Sequence, residues 1–198
     1  MGAFPYRLRS SLTTVAIFSR FPIVGQQNLK LEPVNGSNGC EWADIKINDK
    51  IIRLYNLHLQ SNSVSGLADD LVENGNFDEK STWAKIARMI KRFRSNTLIR
   101  AKQAEIIAAH VKKSPHPILI CGDLNDIPIS YTYTTICDNL QDGFKKAGSG
   151  FSTTYAGNVP ALKIDYILAD NAFFFEDFDI KNVAFSDHFP VVARIKMP

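Results

Sequence analysis

The sequence predicts a layered α/β sandwich, and three observations predict it. Ile118 to Cys121 and Ile164 to Leu168 are short runs rich in apolar residues, which marks strands covered on both faces. Trp83, Ile86, Ile90 and Phe93 recur at helical spacing before those runs. Polar residues crowd the ends of the apolar runs, where open α/β sheets place their ligands. Helices that alternate with doubly covered strands favour layers over an all-β barrel.

Taken in order, Met1 to Ser11 is basic, with Arg7 and Arg9, and is expected to be irregular. Leu12 to Phe18 predicts a strand closed by Ser19 to Pro22. Asn35 to Gly39 is a turn cluster. Trp42, Ile45 and Ile47 alternate loosely with Asp44 and Lys46, the pattern of a half-buried strand. Asn48 to Lys50 turns the chain, and Ile51 to Leu59 returns as the second arm of a hairpin. Gly66 to Lys80 is polar and acidic, a loop or a short helix.

From Thr82 the period becomes helical, with Lys85, Arg88, Lys91, Arg92 and Arg94 on the other faces. Asn96 and Thr97 are expected to cap a second helix, Leu98 to Lys113, halted by Ser114 and Pro115. Pro117 to Cys121 is a buried strand and Tyr131 to Leu140 a helix. Gly148 to Gly157 reads as loop and edge strand. Ile164 to Leu168 and Val191 to Ile195 are the last strands.

Composition narrows the class. The 198 residues, 45% hydrophobic and 22% charged, suffice for one domain, residues 1–198, with a sizeable core, and exclude a disordered chain. No apolar run is long enough to span a bilayer, and the N-terminus lacks the layout of a signal peptide, so a soluble, by default cytoplasmic, chain is expected. A formal charge of +3 permits an anionic partner without demanding one. Cys40, Cys121 and Cys137 form no CxxC pair, which predicts reduced thiols and no zinc site.

Four strand ends carry the candidate chemistry. Asn56 and His58 alternate with Leu57 and Leu59, so two polar side chains share one strand face, which a core normally excludes. Asp123 and Asn125 alternate around Leu124, directly after an apolar strand; alone, they also suit a loop of Asx turns. Asp165 stands among apolar neighbours and needs a partner, for which a histidine is suited. The fourth end is Ser186-Asp187-His188, between two apolar runs, where a carboxylate can hold a cation and an imidazole can serve a phosphoryl group. The set includes no serine elbow and no Cys–His pair. It suits hydrolysis of a phosphate ester assisted by a divalent cation.

The segments NLHL, GDLNDIP, KIDYIL and SDHFPV, in that order, resemble the endonuclease/exonuclease/phosphatase superfamily, the deoxyribonuclease-I-like fold. Val15 to Ile23, Arg100 with Gln103, and the loop Gly148 to Tyr155 add to the likeness. The resemblance implies a four-layer α/β/β/α sandwich and a phosphate-ester substrate: a nucleic acid, a phospholipid head group or a small phosphodiester. It implies that Asp123 orients or deprotonates water, that Asn125 holds it, and that His188 contacts the scissile phosphate with Asp165 fixing its tautomer. His58 becomes a second phosphate donor, Asn56 and Arg100 phosphate-binding groups, and Asp187 a ligand of Mg²⁺ or Mn²⁺. Lys163 stands where the family often has Arg.

The family's first motifs, including the Glu that is a principal metal ligand, have no counterpart here. Glu32 and Glu41 are the acidic residues before the hairpin arm, and Glu41 is expected at the surface. An N-terminally incomplete domain is therefore expected, poorly active or inactive and prone to self-association through its open core, with no protein partner implied. The competing expectation is a binding module of the same fold. In a longer protein the domain is compatible with a membrane anchor. The basic helix, Lys85 to Arg94, is expected to be a solvated face packed by its apolar stripe; the alternative is a rim for nucleic acid or an anionic membrane.

Overall fold

The computed structural model describes residues 4–9, 11, 13–31, 38–62, 80–157, 162–183 and 185–197. In chain order these form β1 (Tyr6–Arg9), β2 (Ala16–Ser19), β3 (Ile23–Asn28), β4 (Gly39–Ile47), β5 (Lys50–His58) and the long helix α1 (Lys80–Val111). Then come β6 (Ile118–Asp123), α2 (Tyr131–Ile136), β7 (Leu140–Asp142), α3 (Gly143–Ala147), β8 (Asp165–Asp170), β9 (Phe174–Ile180) and β10 (Val191–Lys196).

Six strands make the main sheet, in the order β3-β4-β5-β6-β8-β7. β5 and β6 pair in parallel, joined through α1, and the other neighbours pair antiparallel. Strand alternation divides the apolar residues between two cores. Tyr55, Leu57, Ile120 and Leu168 face Ala104 and Ile107 of α1 and Tyr133 and Ile136 of α2. Ala43, Ile45, Ile52, Ile167 and Ala169 face the other way, toward Ile17 of β2 and Phe175 and Phe178 of β9. Two small antiparallel sheets, β1-β2 and β9-β10, make that second layer. The mixed α/β class and the layering agree with the sequence.

Several elements depart from expectation. The hairpin β4-β5 forms as read, with Asn48 in the left-handed region at φ 53. The basic N-terminus is not irregular throughout: Tyr6 to Arg9 pairs with β2. β4 is covered on both faces, so Glu41 is buried, 1% exposed, and not at the surface. Its Oε1 accepts hydrogen bonds from Thr13 Oγ1 (3.1 Å) and Asn28 Nδ2 (3.0 Å). Glu32, the segment 63–79 and most of the turn cluster (residues 35–37) lie outside the described residues.

The two helices expected between Thr82 and Lys113 are one, α1. Asn96 does not cap, because its Nδ2 donates to Asn62 O, and Thr97 Oγ1 donates back to Phe93 O within the helix. Trp83, Ile90 and Phe93 are exposed, so the apolar stripe of the basic half is not packed as expected. α2 stops at Ile136, and the chain turns through Asn139 at φ 63 into β7. Gly148 to Gly157 contributes one isolated bridge, Tyr155 with His188. β9 had no counterpart in the sequence reading.

Candidate active site

Register builds the site. His58 closes β5, Asp123 closes β6 beside it in parallel, and Asp165 opens β8 opposite Asp123. Residues in register point to one face of a sheet, so all three side chains rise together on the face of the second layer. Asn56 lies one step down on that face, opposite Glu41 and Cys121. The fourth strand end, Ser186 to His188, comes from the loop before β10 and is tied down by the Tyr155–His188 bridge and by Phe189 N donating to Thr154 O (2.7 Å).

The turn after β6 is dictated by its residues. Gly122 has φ +140, and a Cβ there would lie 2.1 Å from the Leu57 carbonyl oxygen, so only glycine lets β6 approach β5 this closely. Asp123 Oδ1 then accepts from the backbone N–H of Asn125 (2.7 Å) and Oδ2 from its Nδ2 (2.9 Å), an Asx turn. Asn125 tolerates φ 50 and donates a second bond from Nδ2 to Leu59 O (3.0 Å). Leu124 is buried as the plug beneath.

The charges are organised as pairs. His188 Nδ1 lies 2.9 Å from Asp165 Oδ2, and that hydrogen bond, against the opposing effect of burial, raises the imidazole to about 8. Burial first, and the Asp165 carboxylate second, push Asp123 up from 3.8 to about 7, while its bond from the Asn125 N–H pulls the other way. His58 Nε2 stands 3.9 Å from Asp123 Oδ2, and its Nδ1 is 2.9 Å from Thr14 Oγ1. One ligand atom each from Asp123, Asp165 and His188 lie within 4.8 Å of one another. Two neighbouring carboxylates that offer oxygen donors beside an imidazole suit a divalent cation.

The structure thus brings together His58, Asp123, Asn125, Asp165 and His188, with Asn56 adjacent. Two candidates fall outside. Arg100, carried as a phosphate-binding group, is 0% exposed, and all three nitrogens of its guanidinium are engaged. It pairs with Asp126 (3.1 Å) and donates to Gln60 O (3.1 Å), Asn62 Oδ1 (2.7 Å) and Thr97 Oγ1 (3.0 Å). It positions the loops after β5 and β6 and cannot reach a substrate phosphate. Asp187, carried as the metal ligand, is exposed and accepts from Ser186 Oγ (3.1 Å); it is not among the two carboxylates and one imidazole that converge. Asn56 Nδ2 is engaged too, donating to Ala16 O (2.8 Å).

Three supporting residues escaped the sequence. Thr154 is fully buried, and its Oγ1 accepts from Ile164 N (3.0 Å) and Asp165 N (3.1 Å), fixing the start of β8. Asp126 holds Arg100, and Thr14 orients His58. A signal existed for Asp126, which lies in the same polar turn as Asp123. Hydroxyls in loops carry none. Lys163 is buried against Asp142 (2.9 Å) and does not face the site residues.

The family model of the Endonuclease/Exonuclease/phosphatase family matches residues 4–188. Solved structures share the fold at low identity. The mannosyl-6-phosphatase Bt3783 of Bacteroides thetaiotaomicron superposes with a TM-score of 0.64 at 17% identity, over 92% of this chain and 70% of that one. The human Nocturnin catalytic domain with bound sulfate anion gives 0.59 at 16%, over 92% and 63%. A humanized TDP2 of D. rerio gives 0.63 at 12%, over 92% and 71%. No curated protein matches the sequence. The extent of the family match, together with the ordered strand ends it spans, means that this chain belongs to the endonuclease/exonuclease/phosphatase family and, at that coarse level, to the phosphoester hydrolases.

Proposed function

We propose that this chain carries the water-activating and phosphate-contacting half of a divalent-metal-dependent phosphoesterase site, in which water attacks phosphorus. The convergence of Asp123 and the Asp165–His188 pair carries this reading. Asp123 is placed to orient the attacking water and to take its proton, and bonds from Asn125 hold its two oxygens in place. Asp165 accepts from Nδ1–H of His188, which leaves Nε2–H to donate to a phosphoryl oxygen. At about 8, the imidazole keeps its second proton through neutral pH. His58, fixed by Thr14, adds a second donor beside Asp123.

Mg²⁺ or Mn²⁺ would be held by Asp123 and Asp165 and would supply neutralisation of phosphoryl charge. The test is hydrolysis of bis(p-nitrophenyl) phosphate with Mg²⁺, Mn²⁺ or EDTA, by this chain and by His188→Ala. Metal-dependent turnover that falls by about 10²-fold or more in the variant, with the fold intact by circular dichroism, is expected. Nearly full rate in His188→Ala would remove the role given to this residue.

A further inference from the structure

α1 joins the carboxyl end of β5 to the amino end of β6, so it runs back along both strands. Arg100 and Asn96 tie it to Asn62, Gln60 and Asp126, at the sheet end that carries the candidate site. The twenty residues from Lys80 to Ile99 lie on the outer side of that anchor. They make about 30 Å of helix directed past the end of the sheet.

That half is amphipathic in a particular way. Trp83, Ile86, Ile90 and Phe93 fall within an arc of about 80° at the helical repeat. Trp83 and Ile90 are each 59% exposed and Phe93 is 49% exposed. Arg88, Lys91, Arg92 and Arg94 span about 160° beside that arc and are exposed too, while Thr82 on the remaining face is buried. No acidic residue occurs between Lys80 and Ala104. At the same end of the sheet, Phe151 and Phe185 are 94% and 90% exposed. Each lies three residues before a side chain of the site region, Thr154 and His188 respectively.

We infer that this end of the molecule docks on an anionic phospholipid surface, with the Trp83–Ile90–Phe93 stripe entering the headgroup boundary. Lys/Arg on one face and Trp, Ile and Phe on the other is the composition of an interfacial helix. A nucleic-acid rim uses the cations and leaves the apolar stripe unexplained. A second copy of the chain would set one run of positive charge against another. The lipid surface answers both features at once. Resting on the phosphoesterase reading, the same placement presents the site to phosphate esters of lipid headgroups.

Flotation with vesicles of phosphatidylcholine alone, and with about one third phosphatidylserine, tests the docking without using activity. Binding to the anionic vesicles only is expected, with loss as salt rises. Lys91→Gln/Arg92→Gln is expected to weaken partition roughly 25-fold, at about fivefold per cation. Ile90→Asp/Phe93→Asp is expected to abolish it, while Ala172→Ser, distant from the helix, leaves it unchanged. In a Trp42→Phe background, emission from the remaining Trp83 is expected to shift to the blue on anionic vesicles alone. No binding, binding equal on both vesicles, or binding indifferent to the Ile90/Phe93 pair would overturn the inference. So would a dimer in solution that only Ile90→Asp/Phe93→Asp dissolves, or a single-stranded oligonucleotide bound independently of that pair. Docking and hydrolysis by the parent chain separate the two readings: docking without hydrolysis of bis(p-nitrophenyl) phosphate leaves the surface standing and removes the enzyme. Hydrolysis without docking does the reverse.

Discussion

Asp123 sets stability and chemistry against each other at a single side chain. Its carboxyl rises from 3.8 to about 7 because it is buried and faces Asp165. The folded state therefore binds more protons than the unfolded chain between about pH 4 and 7, and stability falls as pH rises through that window. Asp123→Asn removes the penalised charge but keeps an acceptor for the Asn125 N–H. The variant is expected to match the parent near pH 4 and to exceed it by roughly 1–3 kcal/mol at pH 8, while losing hydrolysis. Urea denaturation at the two pH values measures this. A variant less stable than the parent at pH 8 would mean that the bonds lost from Asn125 outweigh the relief of charge. His188 acts in the same direction with pH but from a favourable contact: its stabilising pair with Asp165 is complete below about pH 6.5 and fades as pH rises through about 8.

At the scale of elements, one buried guanidinium joins α1 to the loops after β5 and β6. Arg100→Met leaves the Asp126 carboxylate and the Gln60 carbonyl buried with a lost donor, which is expected to cost about 3–5 kcal/mol. Arg100→Lys restores charge but not the fork and should fall between. Thermal unfolding checks it. A raised KM with an unchanged Tm would instead return Arg100 to substrate binding. The sequence could not show this clamp, because a motif marks a residue without saying which way its side chain turns. The strand ends Asn56/His58, Asp123/Asn125, Asp165 and His188 were legible because polar residues interrupt apolar strands there. β9 was not, for a physical reason. Its register with β10 shifts between Arg194 and Ile195, a bulge that turns both Phe175 and Phe178 inward. Spacing of three in a strand hides the alternation on which a strand is read. Asn96 and Thr97 misled in the opposite direction, since capping residues whose side chains find other partners do not end a helix.

Across the whole molecule, the site spans two bodies of unequal strength. His58, Asp123 and Asp165 stand on central strands of the six-stranded sheet, where Tyr55, Leu57, Ile120 and Leu168 are packed under α1. Thr14, which orients His58, and the Ala16 carbonyl, which holds Asn56, belong to the β1-β2 layer. Each strand of that layer has four residues, and β1 is largely exposed. Short strands with few buried side chains open at low free energy, whereas central strands open only with the whole fold. Native-state hydrogen exchange is therefore expected to show β1 and β2 exchanging through local opening, with little denaturant dependence, and β5, β6 and β8 through global unfolding. The His58 ring should then report two environments, one with Thr14 in place and one without. A substrate phosphate that binds His58 would favour the closed layer and slow exchange in β2, and would slow β6 as well only through the gain in global stability. Equal protection across β2 and β6 would show that the second layer is locked to the main sheet, and that His58 is held as firmly as Asp123.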